Sequence, residues 1–157
     1  MGASADQGHP VIITEFCKGG TLFELLHEKK KTVKLSFKQR HKMMLDIAKG
    51  MHFMHGLKSP LMHRDLKSLN LLLAEEIKGP NDLVQAKITD FGLSRKFENS
   101  DGGAEAMMTG QAGTFHWMAP EVLENSPYTQ KADVYSFGIV MWEILAREPP
   151  FATHSPQ

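Results

Sequence analysis

Asp65, Lys67, Asn70 and Asp90 are the residues of this chain whose types and spacing best suit chemistry. The first three lie in one run, His63-Arg64-Asp65-Leu66-Lys67-Ser68-Leu69-Asn70, and the fourth opens Asp90-Phe91-Gly92. The set suits phosphoryl transfer, which needs metal-held phosphates, a positioned hydroxyl and relief of developing negative charge. Asp65, held on a tight loop, can accept the proton of an attacking alcohol and orient it. Lys67 can place a cation near the transferred phosphate. Asn70 offers a neutral oxygen ligand and Asp90 an anionic one. Magnesium prefers such hard donors and keeps waters and phosphates as its other ligands.

Taken singly, each piece has a bland explanation. Asp-Phe-Gly is a common turn tripeptide, and Asp65 with Lys67 could be a surface ion pair worth little. Ala119-Pro120-Glu121 alone means almost nothing. The run at 63–70 is far more specific, and the three motifs follow in order in one chain.

The elements that must position these residues are legible in outline. Ser36-Phe37-Lys38-Gln39 is a capping box opening a long helix with apolar positions at Phe37, Met44, Ile47, Ala48, Met51 and Met54. Gly56 ends it. A loop over 57–70 holds the polar cluster, and Leu71-Leu72-Leu73 and Ala86-Lys87-Ile88 read as paired strands. Such a hairpin brings Asn70 and Asp90 together. Between the strands Gly79-Pro80-Asn81 is a turn signal, and the 74–85 segment is long for a hairpin loop. Upstream, Val11-Ile12-Ile13 reads as a buried strand, Gly19-Gly20 breaks it, and Thr21-Leu22-Phe23-Glu24 is a second capping box. Residues 1–10 read as a disordered leader, and 94–113 as a long functional or disordered loop. Asp133 is placed to cap a helix through about Ala146 that is apolar on every face, hence buried all round. Glu148-Pro149-Pro150 stops it.

The 157 residues suffice for one domain or one lobe, and 41% hydrophobic with 23% charged is ordinary globular composition. Lys+Arg and Asp+Glu both number 18, so bulk electrostatics argue for neither nucleic acid nor a membrane surface. Cys17 is the one cysteine, which excludes an internal disulfide and fits a reducing, cytoplasmic setting. No apolar run approaches membrane-spanning length. His52, His55 and His63 are zinc-like by type, but no cysteine or carboxylate set completes a tetrahedral site.

With these motifs in view, the chain resembles the carboxyl-terminal lobe of a eukaryotic protein kinase over roughly residues 11–152. It is most similar to the tyrosine-kinase-like branch of the serine/threonine kinases, through Gly113-Thr114-Phe115-His116-Trp117-Met118-Ala119-Pro120-Glu121 and Asp133-Val134-Tyr135-Ser136-Phe137-Gly138. Lys67 after Asp65-Leu66 is the serine/threonine form. The resemblance implies an α+β fold, a mostly helical C-lobe with short β-hairpins and the N-terminal lobe largely absent. It implies ATP and Mg2+ as cofactors and proteins as substrates. Thr14 would be the gatekeeper behind the adenine. Glu15 and Cys17 would offer hinge backbone groups, and Thr21 would lie near the ribose. Leu72 would floor the adenine, above a column of Leu22, Val140 and Ile144. His63 and Phe91 would stack, anchored by Asp133. Asp65, Lys67 and Asn70 would be catalytic, with Asn70 and Asp90 holding the metal. Arg64 would receive a phosphate from the loop, with Thr109 and Ser100 as candidate phosphosites, and Thr114 would position substrate by bonding Asp65 and Lys67.

The pattern also departs from the family. No Gly-rich phosphate loop precedes residue 11, and neither the strand lysine nor its helix glutamate partner is found. The later helices are missing too, with the arginine that normally pairs with Glu121. Residues 11–157 are therefore expected to be a partial kinase domain, truncated at both ends, with little activity alone and an N-terminal lobe as its missing partner. The alternatives are a non-catalytic kinase-like binding module and a dual-specificity or tyrosine kinase.

Overall fold

Ser36 sets the start of the longest element. Its hydroxyl accepts from the Gln39 amide, while the Gln39 side chain accepts from the Ser36 amide, so the anticipated capping box is complete. The computed structural model describes residues 2–4, 11–29, 32–90, 95–96 and 114–152. In it, α1 runs Phe37–His55 and is closed by Gly56, whose amide bonds the His52 carbonyl. Its inner face is Met43, Ile47, Met51 and Met54; Phe37, at the first helical position, points outward and is 74% exposed.

Three small antiparallel pairs accompany this helix, of which the second and third pack against it. Strands β1 (Gly2–Ser4) and β2 (Val11–Ile13) form the first, β3 (Leu61–Met62) and β6 (Arg95–Lys96) the second, and β4 (Leu71–Leu73) and β5 (Ala86–Ile88) the third. The β4–β5 hairpin has the bounds expected from sequence. Two expectations upstream change. The leader carries a strand at Gly2–Ser4, whose small residues pair with the otherwise open edge of β2. That second strand is not buried: Ile12 is 80% exposed, because none of the described residues packs on the faces of this ribbon.

Two more helices complete the described chain, α2 (Pro120–Leu123) and α3 (Lys131–Ala146). Asp133 does not cap α3. The helix starts two residues earlier, after Gln130, and the Asp133 carboxylate is committed to distant amides instead. Nor is α3 buried all round. Ala132, Asp133, Ser136, Val140, Glu143 and Ile144 face inward, while Val134, Tyr135, Trp142 and Leu145, each 38–55% exposed, form a stripe that the described residues cover only in part.

One core joins these parts: Leu22, Leu25 and Leu26 from a short π-wound helix (Glu24–Glu28) and the turn before it, Met43 and Ile47 from α1, Leu71 and Leu73 from β4, and Val140 and Ile144 from α3. Each such side chain contributes about 2 kcal/mol on leaving water. The Thr21–Glu24 capping box forms as expected and pins the start of the short helix. Gly19 allows the chain before it to press on β4: a Cβ there would lie 2.4 Å from the Glu75 carbonyl oxygen and 2.6 Å from the Leu73 Cβ.

Candidate functional site

The loop between β3 and β4 cannot follow ordinary backbone geometry. Arg64 sits at φ 70°, in the left-handed region, which costs about 1 kcal/mol for a side chain of its type. Asp133 holds it there. Its two carboxylate oxygens accept the amides of His63 and Arg64, each at 2.9 Å, and one also bonds His55 Nε2 at 2.8 Å. The carboxylate is almost wholly out of water, where such charge-assisted bonds are strong.

His63 is fully buried directly beneath the loop. Its Nε2 bonds the Thr89 carbonyl at 3.0 Å, so that nitrogen carries the proton and Nδ1 is left as the acceptor for the Asp65 amide at 3.3 Å. The imidazole thus ties the loop to the end of β5, one residue before Asp90. Phe91, its expected stacking partner, lies outside the described residues.

Asp65, Lys67 and Asn70 come together as their spacing suggests. Lys67 Nζ lies 2.8 Å from Asp65 Oδ2, and both side chains are more than nine-tenths buried. Asn70 Nδ2 donates to the same oxygen at 2.9 Å and to the Asp65 backbone carbonyl at 2.8 Å. A single turn of 3-10 helix, Ser68–Asn70, makes this possible by folding Asn70 back over Asp65. Two donors converge on Oδ2, whereas Oδ1 is buried with no hydrogen-bond partner among the described residues. An unsatisfied buried carboxylate oxygen is expensive, on the order of 1–3 kcal/mol, and marks a place where a donor belongs.

Asp90 is brought near by the β4–β5 register. Leu71 pairs with Ile88, and the Thr89 amide bonds the Asn70 carbonyl at 3.0 Å. Asp90 then turns out of the strand at φ 62° and is exposed. A second left-handed residue beside the first places backbone strain at both polar motifs. With its amide nitrogen held by Asp65, Asn70 has its carbonyl oxygen as the group suited to a cation, and Asp90 adds a carboxylate: an oxygen-only pair that fits magnesium.

The other expected positions distribute as follows. Thr14 and Glu15 are exposed and Cys17 half-buried, in the segment after β2. Glu15 pairs with Lys87 of β5, and that carboxylate holds the Lys87 ammonium above its ordinary pKa. Thr21 forms a lone bridge to Leu72, which faces outward from β4, while Leu22, Val140 and Ile144 are fully buried in the core below. The Arg64 guanidinium stacks 5.7 Å from the Tyr128 ring centroid. Thr114 opens a 3-10 turn, Thr114–Trp117. Ser100 and Thr109 lie outside the described residues.

The model for the protein kinase domain matches residues 1–157. This chain belongs to the protein kinase domain family. It is 40% identical over 156 residues to the Arabidopsis thaliana serine/threonine-protein kinase STY46, covering 99% of this chain and 24% of that protein. It is 44% identical over 141 residues to the Dictyostelium discoideum probable serine/threonine-protein kinase drkC, covering 90% of this chain and 17% of that protein. To the human serine/threonine-protein kinase TNNI3K it is 43% identical over 152 residues, covering 96% and 17%. The kinase domain chain thus spans about a quarter or less of these curated relatives.

Sequence reasoning missed one group. Glu143 is fully buried on α3 and bonded by Ser68, His27 and Trp117. The signal available was a carboxylate amid the apolar run 137–146, which must find donors when buried.

Proposed function

We propose that this chain forms the carboxyl-terminal lobe, the catalytic-loop side of the ATP cleft, of a protein serine/threonine kinase acting in the cytoplasm on protein substrates. The observation that carries this is the asymmetry of Asp65: Oδ2 held by Lys67 and Asn70, Oδ1 buried and unpartnered among the described residues. A substrate hydroxyl donating to Oδ1 would be oriented there, and its proton would pass to that oxygen as the alcohol attacks. Lys67, bridging from Asp65, would set positive charge beside the transferring group. Asn70 and Asp90 would hold Mg2+, which with bound ATP supplies the phosphoryl group and neutralises its charge.

Around this centre, Leu72 and Thr21 would line the nucleotide site with Thr14, Glu15 and Cys17. Arg64 would receive a phosphate on Thr109 or Ser100, and Thr114 would position substrate. A further segment of the full-length protein would supply the N-terminal lobe. The serine/threonine choice rests on Lys67 and on the names of the relatives. None of the helices among the described residues is long and apolar enough to cross a membrane.

The test is phosphate transfer from labelled ATP to a serine/threonine peptide library by the full-length protein. Asp65→Asn should lower kcat by about a thousandfold, within the range that general-base and positioning groups supply. Undiminished transfer by that variant, or labelling of tyrosine alone, would overturn the assignment.

A further inference from the structure

Two arginines meet where α3 ends. Arg147 closes that helix at φ 54°, in the left-handed region that disfavours every side chain but glycine's. It is 7% exposed, and its guanidinium clasps a second segment: Nη1 donates to the Val33 carbonyl at 2.6 Å and Nη2 to the Leu25 carbonyl at 2.8 Å. Arg40, on α1, donates through Nη1 to the Leu145 carbonyl at 2.9 Å, two residues before Arg147. Both Nε atoms are out of water with no hydrogen-bond partner among the described residues. Nor does any described carboxylate form an ion pair with either guanidinium.

Burial and the neighbouring Arg40 charge together hold the Arg147 guanidinium below the ordinary arginine pKa. Backbone carbonyls at a helix end carry partial charge and suit a cation. They do not supply a counterion for two. The surrounding chain adds to the excess: residues 25–40 contain six Lys or Arg against one carboxylate, Glu28, in a molecule whose formal charge is balanced overall.

We infer that Arg40 and Arg147 form an anion site for a phosphate dianion, either free phosphate or the phosphomonoester of a modified side chain. The inference does not depend on the kinase reading. Arg40 is the contact group, being half-buried where Arg147 is enclosed. With Nη1 committed to Leu145, it keeps the Nε–Nη2 edge, the fork that matches two oxygens of a tetrahedral oxyanion. Arg147 adds attraction through space, which its low-dielectric surroundings strengthen. A dianion balances both guanidinium charges, whereas a carboxylate balances one.

The experiment labels arginines of the full-length protein with phenylglyoxal and follows the Arg40 peptide by mass spectrometry, at constant ionic strength made up with chloride. Inorganic phosphate and O-phosphothreonine are the probes, and acetate is the monoanion control. At about ten times its dissociation constant, a phosphate should slow labelling of Arg40 about tenfold, and acetate at the same concentration less than about twofold. Stronger protection by O-phosphothreonine assigns the site to a phosphorylated side chain, and stronger protection by inorganic phosphate assigns it to the free ion. The thermal midpoint is the second readout. Phosphate should raise it less in Arg40→Gln than in wild type, with Arg40→Lys, which keeps the charge without the fork, between them. Both variants leave the Arg147 clasp on Val33 and Leu25 in place. Labelling that neither phosphate slows, acetate protecting as well as phosphate, or an equal rise of the midpoint in Arg40→Gln would overturn the site.

Discussion

A carboxylate does three different jobs at positions 65, 133 and 143, though all three are largely out of water. At 133 both oxygens are saturated by amides and an imidazole, so the group is structural and holds the left-handed Arg64. At 143 both oxygens are again saturated, but by donors from segments far apart in sequence. At 65 one oxygen is held and the other left open, the arrangement expected of a group that must meet something absent from the chain. The clustering of Asp65, Lys67 and Asn70 was legible because all three lie within one short run. Asp133 was expected both to cap α3 and, from the resemblance, to anchor His63; it does the second and not the first, since a local cap and a long-range acceptor look alike in sequence. Removing the long-range acceptor should be severe. Asp133→Ala strands two buried amides and frees Arg64 from its turn, and is expected to lower unfolding free energy by about 3 kcal/mol in urea titration. Asp133→Asn, which keeps one acceptor oxygen, should fall between it and wild type.

At the scale of elements, what was readable was what is determined locally. Both capping boxes and the β4–β5 hairpin follow from residues within a few positions of each other. The 74–85 segment had no account in sequence because its anchor is remote: Gln39, in the first turn of α1, donates to the carbonyls of Gly79 and Asp82 at 2.8 and 3.0 Å. Ile77 and Val84 insert into the core on either side of that clasp. The tip is closed by Asp82, whose carboxylate accepts the amides of Lys78 and Gly79, and those bonds hold its pKa below the ordinary aspartate value. A depressed carboxylate stabilises the fold fully above its unfolded pKa, and that contribution is lost as pH falls through the folded one. Acidification should therefore loosen this loop, and Asp82→Asn should loosen it at neutral pH and abolish the acid dependence. Amide exchange at Lys78 and Gly79 across a pH series, corrected for intrinsic rates, reads this directly. A wild-type loop whose protection is unchanged on acidification would contradict it. Gly19 gives a second check on close packing. Gly19→Ala drives a methyl into the backbone at Glu75 and into Leu73, and should destabilise by about 2 kcal/mol in the same denaturant assay.

For the whole molecule, the two surfaces that sequence reading placed inside lie outside: strand β2 and one side of α3. The apolar composition of α3 was read correctly, but composition cannot say which neighbour covers a face. On α3 the exposed residues fall on one stripe of the helix, with Val134 and Leu145 at one edge and Trp142 and Tyr135 at the other, and a Cβ added at Gly138 between them would meet nothing within 4 Å. Single exposed apolar residues are unremarkable, but a contiguous stripe of this kind promotes non-specific association in water. The 157-residue chain on its own is expected to bind a hydrophobic dye such as ANS in its folded state and to elute larger than a monomer at high concentration. Trp142→Gln with Leu145→Lys should reduce both signals. It should leave the unfolding midpoint within about 0.5 kcal/mol of the parent, since neither side chain contributes to the described core. Loss of the fold in that double variant, or dye binding that survives it, would show that the stripe is not the exposed surface in solution.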